Sequence, residues 1–194
     1  MGPLSSVRLF DHTSELVFRQ SPDQPVLGGI ELVDDRDLRR ATLRRDGAGF
    51  RVLLMNWVLE DVDRHPICFI RSPPPRAGIH LGGAFSLLRP DGELEGQLVY
   101  KAGLRESSCA LETNGTETLV ASKSALGANF EIRAGARLVA SGHIDRLALP
   151  GGLHLTFPPP PAPELPRAPL VALTTFASLW WRGHDSSGWE ITGG

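Results

Sequence analysis

The chain has 194 residues, enough for one domain or at most two small ones. Apolar residues make up 41% and charged residues 22%, so a core can form, and the formal net charge of −2 gives no overall basic field for nucleic acid or anionic lipid. Two cysteines, Cys68 and Cys109, are too few for a disulfide framework and read as small buried apolar side chains. Met1 to Gln20 carries Asp11, His12 and Glu15 and no apolar signal-peptide core. No apolar run reaches the roughly 18 residues of a membrane span. The expectation is a reducing, cytoplasmic setting, with peripheral membrane attachment left open.

Apolar residues come in short runs between turn signals. Glu15 to Arg19 and Pro25 to Val33 are the first strand candidates. Ala41 to Arg45, Asp46-Gly47 and Phe50 to Leu59 read as a hairpin with a long second arm. Pro66 to Arg71 is a short strand stopped by Pro73-Pro74-Pro75. From residue 79 the pattern becomes regular. Ile79 to Leu88 and Leu94 to Lys101 flank Pro90-Asp91-Gly92. Ser108 to Glu112 and Glu117 to Lys123 flank Asn114-Gly115. Asn129 to Arg133 and Arg137 to Ile144 flank Ala134-Gly135. Asp-Gly and Asn-Gly tolerate positive φ and signal tight hairpins; in Ala-Gly only the glycine helps. Leu153 to Phe157 is the last strand candidate. So many short strands favour a barrel or sandwich, and closure is the better solution because it removes exposed strand edges.

Residues 158–169 hold a proline run that cannot join a sheet interior, because proline lacks an N–H. It reads as a stiff linker, with a docking strip for a proline-binding partner as the alternative. Residues 170–181 follow with no charge at all. As a helix this stretch is roughly 18–20 Å long, too short for a bilayer and apolar on every side. It needs protein around it. A closed sheet with strands of roughly 17–20 Å offers a tunnel of that length. The expected buried set is Leu170, Leu173, Phe176, Ala177, Leu179 and Trp180. Val, Thr, Phe and Trp keep a strand reading of 170–181 open. The fold class expected is mostly β: a closed antiparallel β-barrel of about twelve strands around a buried C-terminal hydrophobic helix. It forms one domain, with a core over 15–183 and a tail over 184–194.

This order of elements resembles the phospholipid scramblase family and its wider group of Tubby C-terminal and LURP-one-related domains. Phe69-Ile70-Arg71-Ser72-Pro73, Asn129-Phe130-Glu131-Ile132 and the stretch Leu153 to Trp181 carry the resemblance. It implies a barrel around a central helix and a non-catalytic module bound peripherally to membrane lipid or a protein partner. Scramblases carry an acidic, calcium-loop-like stretch before the helix; here Glu164 is the only acid at that place, so no calcium site is expected. The family's cysteine-rich stretch and proline-rich N-terminal tail are absent. The Tubby-type phosphoinositide pocket uses clustered basic residues, and Arg71, Arg76, Lys101, Arg105 and Lys123 are the mid-chain candidates for an anionic ligand.

The chemistry-bearing residues form no familiar motif. None of the six histidines is spaced as a metal pair along one element, and His65 with Cys68 lacks a second pair. Glu60-Asp61-Val62-Asp63 reads as a solvated turn rather than an acid–base pair. No Gly-x-Ser-x-Gly elbow and no glycine-rich phosphate loop occurs. No catalytic residue, metal or cofactor is expected. A small-molecule barrel or small enzyme, and a structural domain using the proline run, stand as alternatives.

Overall fold

The computed structural model describes residues 8–21, 29–46, 56–72, 84–101, 106–113, 118–124, 127–145, 152–159 and 167–186. Arg76, Arg105, Gly47, Asn114-Gly115 and the proline run over 160–166 lie outside these, as does the side chain of Trp180. The first six strands are β1 (Glu15–Gln20), β2 (Ile30–Asp34), β3 (Arg39–Arg45), β4 (Trp57–Asp61), β5 (Pro66–Arg71) and β6 (Ala84–Leu88). Then come β7 (Leu94–Lys101), β8 (Glu106–Thr113), β9 (Leu119–Ser124), β10 (Asn129–Ala134), β11 (Arg137–Ile144) and β12 (Leu153–Thr156). Each strand pairs antiparallel with its neighbours in sequence, and β1 pairs β12, so the sheet closes into a barrel. At that seam Glu15 faces Thr156 and Phe18 faces Leu153.

Side chains alternate along each strand, as the pleat requires. Leu16 and Phe18 on β1, Ala41 and Leu43 on β3, Cys109 and Leu111 on β8 and Phe130 and Ile132 on β10 point inward and are buried. β2, β4 and β6 are described from Ile30, Trp57 and Ala84, and the earlier parts of the expected strands, 25–28, 50–55 and 79–83, lie outside the described residues. The tight turn expected at Asp46-Gly47 is a correction: Arg45 pairs with Trp57, and the Asp46 N–H donates to the Asn56 carbonyl at 2.9 Å. No tight turn therefore closes at Asp46-Gly47, and residues 47–55 lie outside the described ones.

Three hairpin turns at one end share a single build. In each, the first residue's N–H reaches the carbonyl four residues on, and the fourth residue's N–H returns to the first carbonyl. The triples are Asp34/Asp37/Leu38, Asp61/Arg64/His65 and Arg89/Gly92/Glu93. The fourth position has positive φ: 58° at Asp37, 65° at Arg64 and 86° at Gly92. Only Gly92 occupies it without steric cost. The other two turns compensate with aspartates. Asp34 Oδ1 accepts the N–H groups of Arg36 and Leu38 at 2.9 Å each, and Asp61 Oδ1 accepts those of Asp63 and His65 at 2.9 Å each.

Asp34 is buried and also accepts Arg40 Nε at 2.7 Å. Burial pushes its carboxyl up, but the Leu38 N–H, the Arg40 side chain and the Arg36 N–H together pull it below the usual value. A depressed folded pKa gives stability that is present above the unfolded value of 3.8 and lost as pH falls through the folded one. Asp34→Asn is expected to cost about 1–2 kcal/mol at neutral pH. In urea titrations this cost should shrink as the pH falls below the unfolded carboxyl value; equal costs at pH 7 and pH 2.5 would contradict the assignment.

The helix, α1 (Arg167–Ser186), starts earlier and ends later than the span 170–181. Pro169 falls in its first turn, where a missing N–H costs nothing. Leu170, Val171, Ala172, Leu173, Phe176, Ala177 and Trp181 are buried, and Leu179 packs half-buried on the same core. The Phe176 ring meets Phe85 of β6 and the Trp181 ring meets Phe130 of β10, both at 5.1 Å between centroids. The buried hydroxyls of Thr174 and Ser178 donate to the helix's own carbonyls, at Leu170 (2.8 Å) and Thr175 (2.7 Å). At the other end Arg167 donates to the carbonyls of Phe10 (3.0 Å) and Thr13 and lies over the Phe157 ring. Burial lowers the pKa of this guanidinium, and nearby Asp11 acts in the opposite sense. The helix start is thereby tied to the segment entering β1.

Candidate functional site

Because the barrel is filled by its own helix, the groups that can meet a partner lie on the outer face and at the ends. On the outer face of β2, β3 and β4, Glu31, Thr42 and Glu60 stand in one cross-strand row. Both glutamates are buried. Each is held by arginine: Arg19 and Arg39 reach Glu31 at 3.8 and 3.4 Å, and Arg44 Nε donates to Glu60 at 2.9 Å with a second bond from its NH2 group. The Glu60 hydrogen bond is the main cause that raises the Arg44 pKa. Arg39, Arg44, Arg64, Glu60 and Asp61 line a shallow groove of about 350 Å³ beside these pairs. Arg39 and Arg44 are already paired with Glu31 and Glu60, so these two guanidinium groups brace the strands.

The groove runs into the rim formed by the hairpin turns. Among the described residues, the exposed large apolar side chains are Leu38, Val62, Leu94 and Leu138. All four belong to this one rim. They stand in or beside the β2–β3, β4–β5, β6–β7 and β10–β11 turns, and the first three tips follow one another around the barrel. Carboxylates surround them. The segments 34–40, 60–65 and 89–95 carry nine carboxylates against five guanidinium groups. Asp61, Asp63 and His65 place ligand atoms within 4.8 Å of one another, but Asp61 is already committed to its turn's N–H groups.

The basic residues singled out from sequence do not share one face. Arg71 points outward from β5, paired with Asp46 and lying over the Phe69 ring. Lys101 is exposed near the end of β7. Lys123 is buried. It has the inward parity of Leu119 and Ala121 and sits between Ser107 and Phe130 in register. That is the far end, where Trp181 brings the C-terminal half of the helix, whose dipole favours a cation. Cys68 and Cys109 are free and buried; burial pushes the Cys68 thiol up to about 12 and the Cys109 thiol higher still, so neither is a nucleophile.

The class defined by this geometry is a closed twelve-stranded antiparallel barrel occupied by its own C-terminal helix. No family model matches the chain, and no curated protein matches it. Among solved structures it is similar to the X-ray structure of a protein from Arabidopsis thaliana, with 10% identity over 86% of this chain and 90% of that one, at a TM-score of 0.42. A likeness that slight carries no argument about function.

Proposed function

We propose that this chain is a scramblase-like or Tubby-like module that binds rather than catalyses, and that it docks a protein partner through the hairpin rim. The observation that carries the reading is the gathering of Leu38, Val62, Leu94 and Leu138 on one end of the barrel. Among the described residues these four stand on one rim, and the tips at Leu38, Val62 and Leu94 follow one another around it, as a contact surface would. The filled lumen supports the same reading, because a small ligand there would have to displace Leu173 or Phe176. Charge chooses between the two partners that the resemblance implies. Nine carboxylates over three adjacent tips repel an anionic bilayer and suit a basic protein surface with an apolar centre.

The test is a variant carrying both Leu38→Asp and Leu94→Asp. Both residues are exposed, so stability is expected to change by no more than about 0.5 kcal/mol per site. Partner capture in cross-linking pull-downs is expected to fall at least tenfold, and wild-type protein is expected to stay at the bottom of a flotation gradient with phosphatidylserine vesicles at low salt. Undiminished capture would remove the rim from the account. Flotation that depends on Leu38 and Leu94 would replace the protein partner with a membrane.

A further inference from the structure

On the outer face at the barrel seam, two histidines stand directly opposite each other on adjacent strands. His143 of β11 pairs in register with His154 of β12. Their rings stack, with centroids 4.3 Å apart and planes 9° apart. Directly opposed residues on antiparallel strands have Cβ atoms about 4.5–5.5 Å apart, a span that lets two imidazoles reach one ion. The third strand of the seam contributes a carboxylate. Glu15 of β1 lies with Oε1 2.7 Å from His154 Nδ1. A carboxylate there favours the tautomer with the proton on Nδ1, which leaves the Nε2 lone pair for a ligand. That nitrogen lies over Gly152, where even an added Cβ would come no nearer than 3.5 Å. Asp145 continues β11 on the same face two residues past His143, its N–H donating to the Gly152 carbonyl at 2.7 Å.

We propose that His143 and His154 form a binding site for a divalent transition metal of the imidazole-preferring kind, with Glu15 as the positioning partner of His154. The chemistry fits zinc, nickel or copper rather than calcium or magnesium, since the donors are imidazole nitrogens. Two such nitrogens at about 2.0–2.1 Å from the ion stand roughly 3.3 Å apart, so the rings must leave the stack, whose centroids are 4.3 Å apart, to bring them together. His143 is exposed and can turn from stacked to edge-on by changing rotamer. An ion held this way, with water filling further positions, links β11 and β12 directly and β1 through Glu15. It would act as a staple on the seam that closes the barrel.

Zinc titration of the full chain by calorimetry tests this, beside His143→Ala, Glu15→Gln and His65→Ala. Wild type is expected to bind one zinc ion at this site and to gain thermal stability from it, with the His143 and His154 ring resonances perturbed. His143→Ala should lose at least tenfold in affinity. Glu15→Gln should lose roughly 10–100-fold, the usual cost of removing a carboxylate behind a ligating histidine. His65→Ala should leave this binding unchanged, and magnesium should produce no shift. Folding of His143→Ala is checked by circular dichroism, and the exposure of the residue protects that control. Zinc affinity that survives His143→Ala, zinc that perturbs only His65, or no binding at millimolar zinc would each overturn the proposal.

Discussion

Phe176→Ala is expected to lower the free energy of unfolding by about 3–5 kcal/mol, the range for a large aromatic removed from a closed core. The side chain is 1% exposed on a helix whose neighbouring positions are also buried. Its ring meets Phe85 on β6 at a 59° tilt. Strands surround the site and are fixed by their ladders, so they cannot collapse onto the vacated space. The cost should therefore sit toward the upper end of the range and appear as a fall in urea midpoint at unchanged slope. A helix lying on the outside of the sheet would relax into solvent after the same substitution. In that arrangement the cost would stay near 1 kcal/mol, as for a typical mutation.

Gly142→Ala is expected to be nearly as damaging, for the opposite reason. Gly142 lies on β11 opposite Leu155 and Phe130, at an inward position. A Cβ there would fall on the backbone carbonyl oxygen of His154 and 2.6 Å from Cε1 of Phe130. The carbonyl cannot withdraw without parting β11 from β12, and Phe130 is itself pressed against Trp181. Over-packing in a well-filled core costs about 1–3 kcal/mol, and the ladder bonds at risk place this site at the top of that range. Gly92→Ala supplies the comparison. Its φ of 86° makes alanine strained, yet nothing lies within 4 Å of the added atom. It should cost only about 1 kcal/mol. Chemical denaturation of the two variants side by side separates steric clash from backbone strain; equal costs would show that Gly142 is not wedged.

The strand order was legible because each strand is bounded by local turn chemistry. Gly92 and Gly135 carry the positive φ that the sequence signals. Asp37 and Arg64 take the same conformation without glycine, because Asp34 and Asp61 tie down the backbone, and no dipeptide rule reveals that. The central helix was legible from its lack of any charge. Its ends were not, since Arg167 looks like a loop residue until the carbonyls of Phe10 and Thr13 are seen beside it. The β1–β12 seam is a contact between distant parts of the chain and leaves no local mark.

The surface sites depended on parity and register, which spacing alone does not supply. Lys123 shares the parity of Leu119 and Ala121, so the alternation already contained its inward direction; counting basic residues along the chain did not use it. The register shift between Leu32 and Val33 decides which acids face which arginines on β2 and β3, and such a shift has no sequence signature of its own. His143 and His154 escaped a search for metal pairs along one element because they stand on two strands. The apolar rim was equally hidden. Leu38, Val62, Leu94 and Leu138 are ordinary residues in sequence and become a set only when alternate hairpins turn at one end.

The measurement that bears most directly on the account is a set of nuclear Overhauser contacts from the aromatic rings of the C-terminal helix. A lumen-filling helix predicts cross-peaks from Phe176 to Phe85 and from Trp181 to Phe130, rings carried by β6 and β10. Cross-peaks from Phe176 or Trp181 to outward residues such as Val99, or rings that broaden with a soluble paramagnetic probe, would place the helix outside the barrel and contradict the architecture.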